Sequence, residues 1–571
     1  MPKLSLSGFD GIVPRTSPTT LGPAQATVAE DVNLYAGELR TWGSPTLAFS
    51  PANGAPIYTM RKIYNNAGLS AWLTWTGAID MVLGPIADTT EIRMYYTDSL
   101  TPKKTNWAMA TGGAQPYPSA WLNMGVPTPA NAPDTGIVAG SYPVADTRAY
   151  VYTYISTFGT VAEESAPSPA SALVTIAAGD GVNIFGFTPA PTQNYQITAV
   201  RIYRTISGQS TGANYAFVDQ LPVNPATGLV YNSGTTANGV VYSNGTYTDN
   251  LLSTQLGEAL TTTTWSPPPV GLTGIIAMPN GMLAGFVGNN IYFSEPYFPH
   301  SWPLEYAQTV NDNIVGLGVF GYSLVACTAK YPYILSGTDP TSISVEQVPL
   351  AEPCVSKRSI VSDNTGNNNG AGGVTYASPK GLVVIGPSTR SVVTHRLFRR
   401  LEWQALNPSS LIAVTYDGRL IGFYANGTPA AIVMSSDDIP ALSIKQTTCT
   451  AAFVDPIDGH LYIANPLDNK LYQLDANTGA PTPYTWASKR FMMEHGETWS
   501  ALKVDADYSS GGTVTIELFG DAGVLQTTLG VTSLDPVRVP PFRAREMIVE
   551  VSGTVNVRSV ALATSVMDLR E

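Results

Sequence analysis

Arg396, Arg399 and Arg400, preceded by Arg390, form the strongest basic cluster in the sequence, TRSVVTHRLFRR. Such guanidinium groups could contact phosphate oxygens of DNA or an acidic partner surface. They could equally mark a strand edge, where arginines pair with neighbours and discourage stray edge pairing. A second string, IYFSEPYFPHSW from Ile291 to Trp302, could stack on a sugar ring. Alternating aromatics that run into a Pro-rich loop also serve as core and interface anchors.

Motifs that match enzymes fail on context. GLGVFG, Gly316 to Gly321, fits the dinucleotide string, but YSLVACTAKYPYILSG after it reads as a hairpin. A helix N-terminus is needed there to hold pyrophosphate. GQSTG, Gly208 to Gly212, fits a nucleophile elbow yet joins two strands, so Ser210 reads as a turn serine. DADYSSGG from Asp505 starts like a calcium loop, but Gly511 comes one place late and Ile516 stands where a bidentate Glu is needed. Asp437 and Asp438 sit in a polar turn with nothing to raise one pKa. Cys327, Cys354 and Cys449, and His300, His395, His460 and His495, are scattered without metal-ligand spacing. The expectation is no catalytic residue, no cofactor and no metal.

The elements that would carry these residues are strands. One pattern returns as NGMLAGFVGNNIYFSEP, GYSLVACTAKYPYILSGT, KGLVVIGPSTRSVVTHRLF, DGRLIGFYANGTPAAIVM and DGHLYIANPLDNKLYQLD. Its turn glycines, Gly281, Gly321, Gly381, Gly418 and Gly459, stand 40, 60, 37 and 41 residues apart. A period of roughly 40–45 residues with paired strands is that of a four-stranded propeller blade. The longer step holds DNTGNNNGAGG from Asp363, a loop insertion. IYTMRKIYN, SAWLTWTGAIDMVLG and EIRMYYTD supply one more blade, giving about six.

Composition agrees. The 571 residues are 44% hydrophobic, with Gly 52 and Pro 44 falling between short apolar runs. The class is mainly β. Charged residues are 13%, against about 25% in an ordinary chain. Surface shared with other subunits would account for this, since interface cores are poor in charge. The net charge of −12 argues against general phosphate neutralisation. No apolar run suits a signal peptide or a membrane span, and the sparse cysteines fit a reducing cytoplasm.

Five regions follow. Residues 1–50 form an extended arm and a short helix, Ala24 to Asn33, with Pro23 in its first turn and Gly37 as its stop. Residues 51–126 form the first blade. Residues 127–266, bounded by PTPANAP and SPPP, form an inserted fibronectin type III-like sandwich with close termini. Residues 267–484 hold the remaining blades, and 485–571 a C-terminal β-sandwich.

The opening GFDGIVPRTSP…LGPAQATVAEDVNLYAGELRTWGSP resembles that of the tail nozzle proteins, or tail tubular protein B, of short-tailed bacteriophages. The matching positions are Gly8, Gly11, Pro14, Ala24, Ala29, Asn33, Gly37, Leu39 and Arg40. Units such as LAGFVGNNIYFSEPYFPHSWP, and a last sandwich opening near TWASKRF, look like the same group. The resemblance implies a structural virion protein, made in the host cytoplasm and built into the tail. It implies a hexameric ring bound to an adaptor or tail-tube protein, with contacts to a tail fibre or needle. Genomic DNA would pass through, and the tip would stay closed before ejection. A phage receptor- or glycan-binding propeller is the alternative. On the first reading the arm makes subunit contacts and is open to protease. The channel wall is poor in Lys and Arg, and Arg396, Arg399 and Arg400 point away from it.

Overall fold

The computed structural model describes all residues except 1–2, 35–36, 87–90, 99, 207–213, 232, 240, 244, 364–371, 428–429, 435–440, 477, 510 and 570–571. The GQSTG motif, Asp437, Asp438 and most of the DNTGNNNGAGG loop lie outside the described residues. The chain is mainly β, as expected.

Among the described residues seven small antiparallel sheets follow one another, the sixth continuous with the C-terminal strands. Sheet I is the hairpin Thr59–Tyr64 with Ser70–Trp75. Sheet II runs from Asp80–Leu83 through Arg93–Thr97 and Lys103–Asn106 to Leu122–Asn123. Sheets III, IV and V begin at Thr273–Ala277, Ile314–Phe320 and Val361–Asp363. Sheets VI and VII begin at Ile412–Tyr416 and Ala451–Val454. Sheets II to VII are four-stranded meanders, and sheet VII takes its last strand, Thr46–Phe49, from the start of the chain.

The repeat therefore marks the second and third strands of sheets III, IV, VI and VII, and the third and fourth of sheet V. Gly281, Gly321, Gly418 and Gly459 turn the first strand into the second with φ of 81°, 50°, 71° and 73°. An L-residue rarely adopts that backbone, so glycine marks the turn. Residues 51–126 make two sheets rather than one, since Ser70–Trp75 pairs with Thr59–Tyr64 and Asp80–Leu83 with Arg93–Thr97. Ile63 and Leu73 of sheet I pack with Met94 of sheet II in one apolar cluster. The first strands of sheets II, III, IV, V, VI, VII and I neighbour one another in that order.

Between sheets II and III the chain makes a separate pair of layers. One joins Val161–Glu164, Tyr150–Phe158, Ile197–Thr205 and Tyr215–Pro222; the other joins Asp134–Ala139, Asp180–Phe185 and Tyr247–Asp249. Tyr150, Val182, Ile184, Ile202 and Tyr247 are buried between them. Entry and exit are adjacent, since a Cβ on Gly125 would stand 2.5 Å from Pro268 Cδ and 2.9 Å from Pro267 Cβ.

The last strands surround a core of Trp486, Leu502, Val504, Ile516, Val549, Val551, Val560 and Leu562. Val537–Gly553 is long enough to serve two layers. Its first half pairs with Phe491–Ala506 and its second with Tyr484–Ser488 and Val514–Phe519.

The opening segment departs from expectation. Residues 26–33 form strands, Ala26–Glu30 and Val32–Asn33, not a helix. Ala26–Glu30 lies between Tyr484–Ser488 and Leu442–Lys445, joining the C-terminal strands to sheet VI. Small alanines fit this slot, both Ala26 and Ala29 being buried, and tertiary packing overrides their helix propensity. The arm is not free either: Lys3–Ser7 pairs with Val557–Ala563. Phe9 stands edge-on to Trp486 at 4.9 Å, and both are buried.

Candidate functional site

The first strands of sheets I, II, V, VI and VII line a central cavity of about 560 Å³, and its smaller continuation of about 220 Å³ is lined also by those of sheets III and IV. Strands expose alternate residues to opposite faces. In YTMRKIYN this sends Arg61 to the cavity wall and its neighbour Lys62 into the seam with sheet VII. Asp80 opens sheet II, and Lys357 and Arg358 lie in the single turn of 3₁₀ helix before sheet V.

Lys357 Nζ donates to Asp80 Oδ2 at 2.6 Å, and the Gly274 N–H reaches the same oxygen at 2.8 Å. Arg358 donates to the carbonyls of Tyr58, at 3.2 Å, and Thr450, and lies 4.2 Å from the Tyr58 ring centroid. Arg61 stands 5.0 Å from the Phe453 ring centroid and makes no hydrogen bond among the described residues. Enclosure by the strands pushes its pKa down, only partly offset by Asp80. The wall is thus cationic, and it can attract and hold negative charge.

Sequence reasoning missed this cluster. Its one local signal was the pair Arg61 and Lys62 between Met60 and Ile63, charges inside a strand of a chain poor in charge. Nothing local linked it to Lys357, almost 300 residues away.

The expected patch sits elsewhere. Arg390 opens the fourth strand of sheet V and pairs with Glu346, whose carboxyl is held below its usual range by that hydrogen bond. Arg396 ends a short 3₁₀ helix, and Arg399 and Arg400 start the helix Arg400–Ala405. The THRLFRR run is therefore not a strand edge: buried Leu397, Phe398 and Trp403 fold it into two turns that cap sheet V. All four arginines are exposed, and none lines the central cavity. Arg15 joins them from the opening segment. It donates to the His395 carbonyl, and Arg399 Nη2 donates to the Arg15 carbonyl at 3.3 Å. Leu401 is 79% exposed in their midst.

The remaining motifs are structural where they are described. Gly316 to Gly321 lies mostly in the strand Ile314–Phe320, where a Cβ on Gly318 would stand 2.4 Å from Val374 Cγ1. The strand Ser323–Thr328 follows, not a helix. From the aromatic run, Phe293 and Trp302 are core residues, while Tyr297 and Phe298 are exposed. Cys327 and Cys354, far apart in sequence, share one buried cluster as free thiols. No group of three or more His, Cys, Asp or Glu suited to a metal occurs among the described residues. No helix among them is long and apolar enough to cross a membrane.

No family model and no curated protein matches the chain. Solved structures that align include crystals of BBS1N in complex with ARL6DN, soaked with mercury and with lead. Both are 11% identical, cover 77% and 78% of this chain and 99% of theirs, and have a TM-score of 0.21. So low a score says nothing about fold or function.

Proposed function

We propose that the seven sheets are the blades of a β-propeller, one more than the sequence suggests, and that the chain is a structural subunit of a short phage tail. In this reading six copies form the nozzle ring, bound to an adaptor or tail-tube ring. The propeller's own cavity is too small for a duplex whose major groove alone is about 12 Å wide. DNA would instead pass along the ring axis between copies, and the protein would carry no catalysis.

The observation that carries the reading is the junction made by the nozzle-like opening. Gly8 and Gly37 take positive φ and touch, a Cβ on Gly37 standing 3.1 Å from Gly8 Cα. Leu39 is fully buried, and Asn33 accepts a hydrogen bond from Arg419 Nη1 at 2.7 Å. The residues of the resemblance thus bind the C-terminal strands to the sheets as one mechanical body. A part that holds pressurised DNA needs such a body.

The exposed arginines with Leu401 form a basic patch on a chain of net charge −12, suited to an acidic surface of a neighbouring copy or of the adaptor. The layered insert, held on sheet II, would reach towards a tail fibre or the host surface. The rival reading, a glycan-binding propeller, is tested with the purified chain on a glycan array. The nozzle reading expects no saturable binding; one glycan class bound at micromolar levels would favour the rival.

A further inference from the structure

The central cavity holds more positive charge than its carboxylate can neutralise. Among the described residues its charged lining is Arg61, Lys357 and Arg358 against Asp80. Asp80 is already engaged by Lys357, the Gly274 N–H and, at 3.4 Å, the Thr273 hydroxyl. Arg358 uses its donors on neutral carbonyls, and Arg61 has no hydrogen-bond partner among the described residues. Enclosed cations are ordinarily paired, because desolvation opposes their charge.

Two hydroxyls on the same wall also lack acceptors. Thr415 Oγ1 is buried with no hydrogen-bond partner among the described residues. Ser362 Oγ accepts from the Val319 N–H at 2.9 Å and keeps its own proton to donate. A buried donor left unsatisfied, as Thr415 Oγ1 is, costs free energy that a ligand would recover.

We infer that this cavity binds a small multivalent oxyanion, a phosphate ester or a polycarboxylate, with Arg61 as its main anchor and Thr415 and Ser362 as further donors. A guanidinium fork matches both oxyanions in bidentate geometry. The cavity's roughly 560 Å³ falls within the about 300–1,000 Å³ of small-ligand sites. The bound anion would tie together sheets I, V and VI, which supply these residues, and so stabilise the fold.

The test is calorimetric titration of the full chain with inorganic phosphate and, separately, with citrate, in low-salt buffer near neutral pH. At least one should bind once per chain and raise the melting temperature. Phosphate alone assigns a phosphate ester, citrate alone a polycarboxylate, and both the shared chemistry. Arg61→Gln should weaken binding about tenfold or more, as expected for losing a charge-assisted hydrogen bond. Its ligand-free melting temperature should be unchanged or higher, since an unpaired enclosed charge is gone. If Arg61→Gln fails to fold, Arg358→Gln and Thr415→Val take its place in the same comparison. Absence of saturable binding by either anion in the millimolar range, or binding by the variants as tight as by the parent chain, would overturn the assignment.

Discussion

Gly11 lies against Leu442, so closely that a Cβ at residue 11 would stand 2.3 Å from the Leu442 carbonyl oxygen. The contact is bracketed by hydrogen bonds in both directions, Ile12 N–H to the Leu442 carbonyl at 2.8 Å and Leu442 N–H to the Ile12 carbonyl at 3.1 Å. Gly11→Ala must therefore push backbone from backbone and separate the opening segment from sheet VI. Phe9→Ala should cost about 3–5 kcal/mol, the usual range for a buried aromatic. Deleting the first 18 residues should then destabilise the whole chain, contrary to a free arm. Denaturant titration of the three variants checks this; a parent-like midpoint for the deletion would show that the segment is dispensable.

Lys62 latches sheet I to sheet VII. Its Nζ donates to Asp458 Oδ2 at 2.6 Å and lies 3.5 Å from Asp455, among the rings of Tyr64, Trp72 and Tyr462. Burial pushes the Asp458 carboxyl up, but hydrogen bonds from Lys62, the His460 N–H and Tyr462 outweigh it and hold it at about 2. A carboxyl held low stabilises the fold above its unfolded pKa of about 4, and the gain is lost as pH falls towards 2. Asp458→Asn should lower stability at neutral pH by about 1–3 kcal/mol, since the pair is only partly solvated. The difference from the parent chain should shrink below pH 4. Melting curves across pH measure it; a constant difference would contradict the latch.

Lys104 of sheet II and His300 of sheet III fix the layered insert through its Glu163. Lys104 Nζ donates to Glu163, His300 Nδ1 lies 4.0 Å from Glu163 Oε1, and all three residues are buried. Burial, partly offset by Glu163, pushes His300 down from 6.5 to about 4. The unfolded chain therefore takes up a proton first, so stability declines as pH falls from 6.5 towards 4. His300→Leu should flatten that part of the pH profile. An unchanged slope would mean that His300 is not held neutral.

Replacing residues 129–266 by a short Gly/Ser linker keeps the adjacent chain ends near Gly125 and Pro267 but leaves Lys104 buried without Glu163. The excised chain should melt lower than the parent, by an amount that Lys104→Met restores in part, because an unpaired buried ammonium is costly. Equal melting temperatures with and without Lys104→Met would contradict the docking role of this pair.

Among the described residues Arg396, Arg399 and Arg400 make no buried hydrogen bond or ion pair that a change to Ala would remove, Arg399 giving an exposed hydrogen bond to Arg15. The triple Ala variant should keep the monomer's melting temperature within about 0.5 kcal/mol of stability. It should lose salt-sensitive association of copies or of the adaptor, which sedimentation at two salt concentrations reads. Association unchanged in the variant would remove the patch from the interface.

Local rules made the meanders legible. DGRLIGFYANGTPAAIVM names its own turn and alternation, and Arg419–Tyr424 pairs with Ala430–Met434 as written. Nothing in VDPIDGH points to the role of Asp455 and Asp458, because their cation lies almost 400 residues away. The same distance hid the cavity cations, which no window along the chain brings together. ATVAEDVN was misread since alanine suits a helix in isolation, while the space between two strands admits little else.

Single-particle electron microscopy of intact tails, with a label on the C-terminal strands, tests the nozzle proposal most directly. The account predicts six labels in a ring at the distal end of the tail, around an axis that lies between copies. A label missing from the particles, or found on one copy or on outlying spikes, would contradict it.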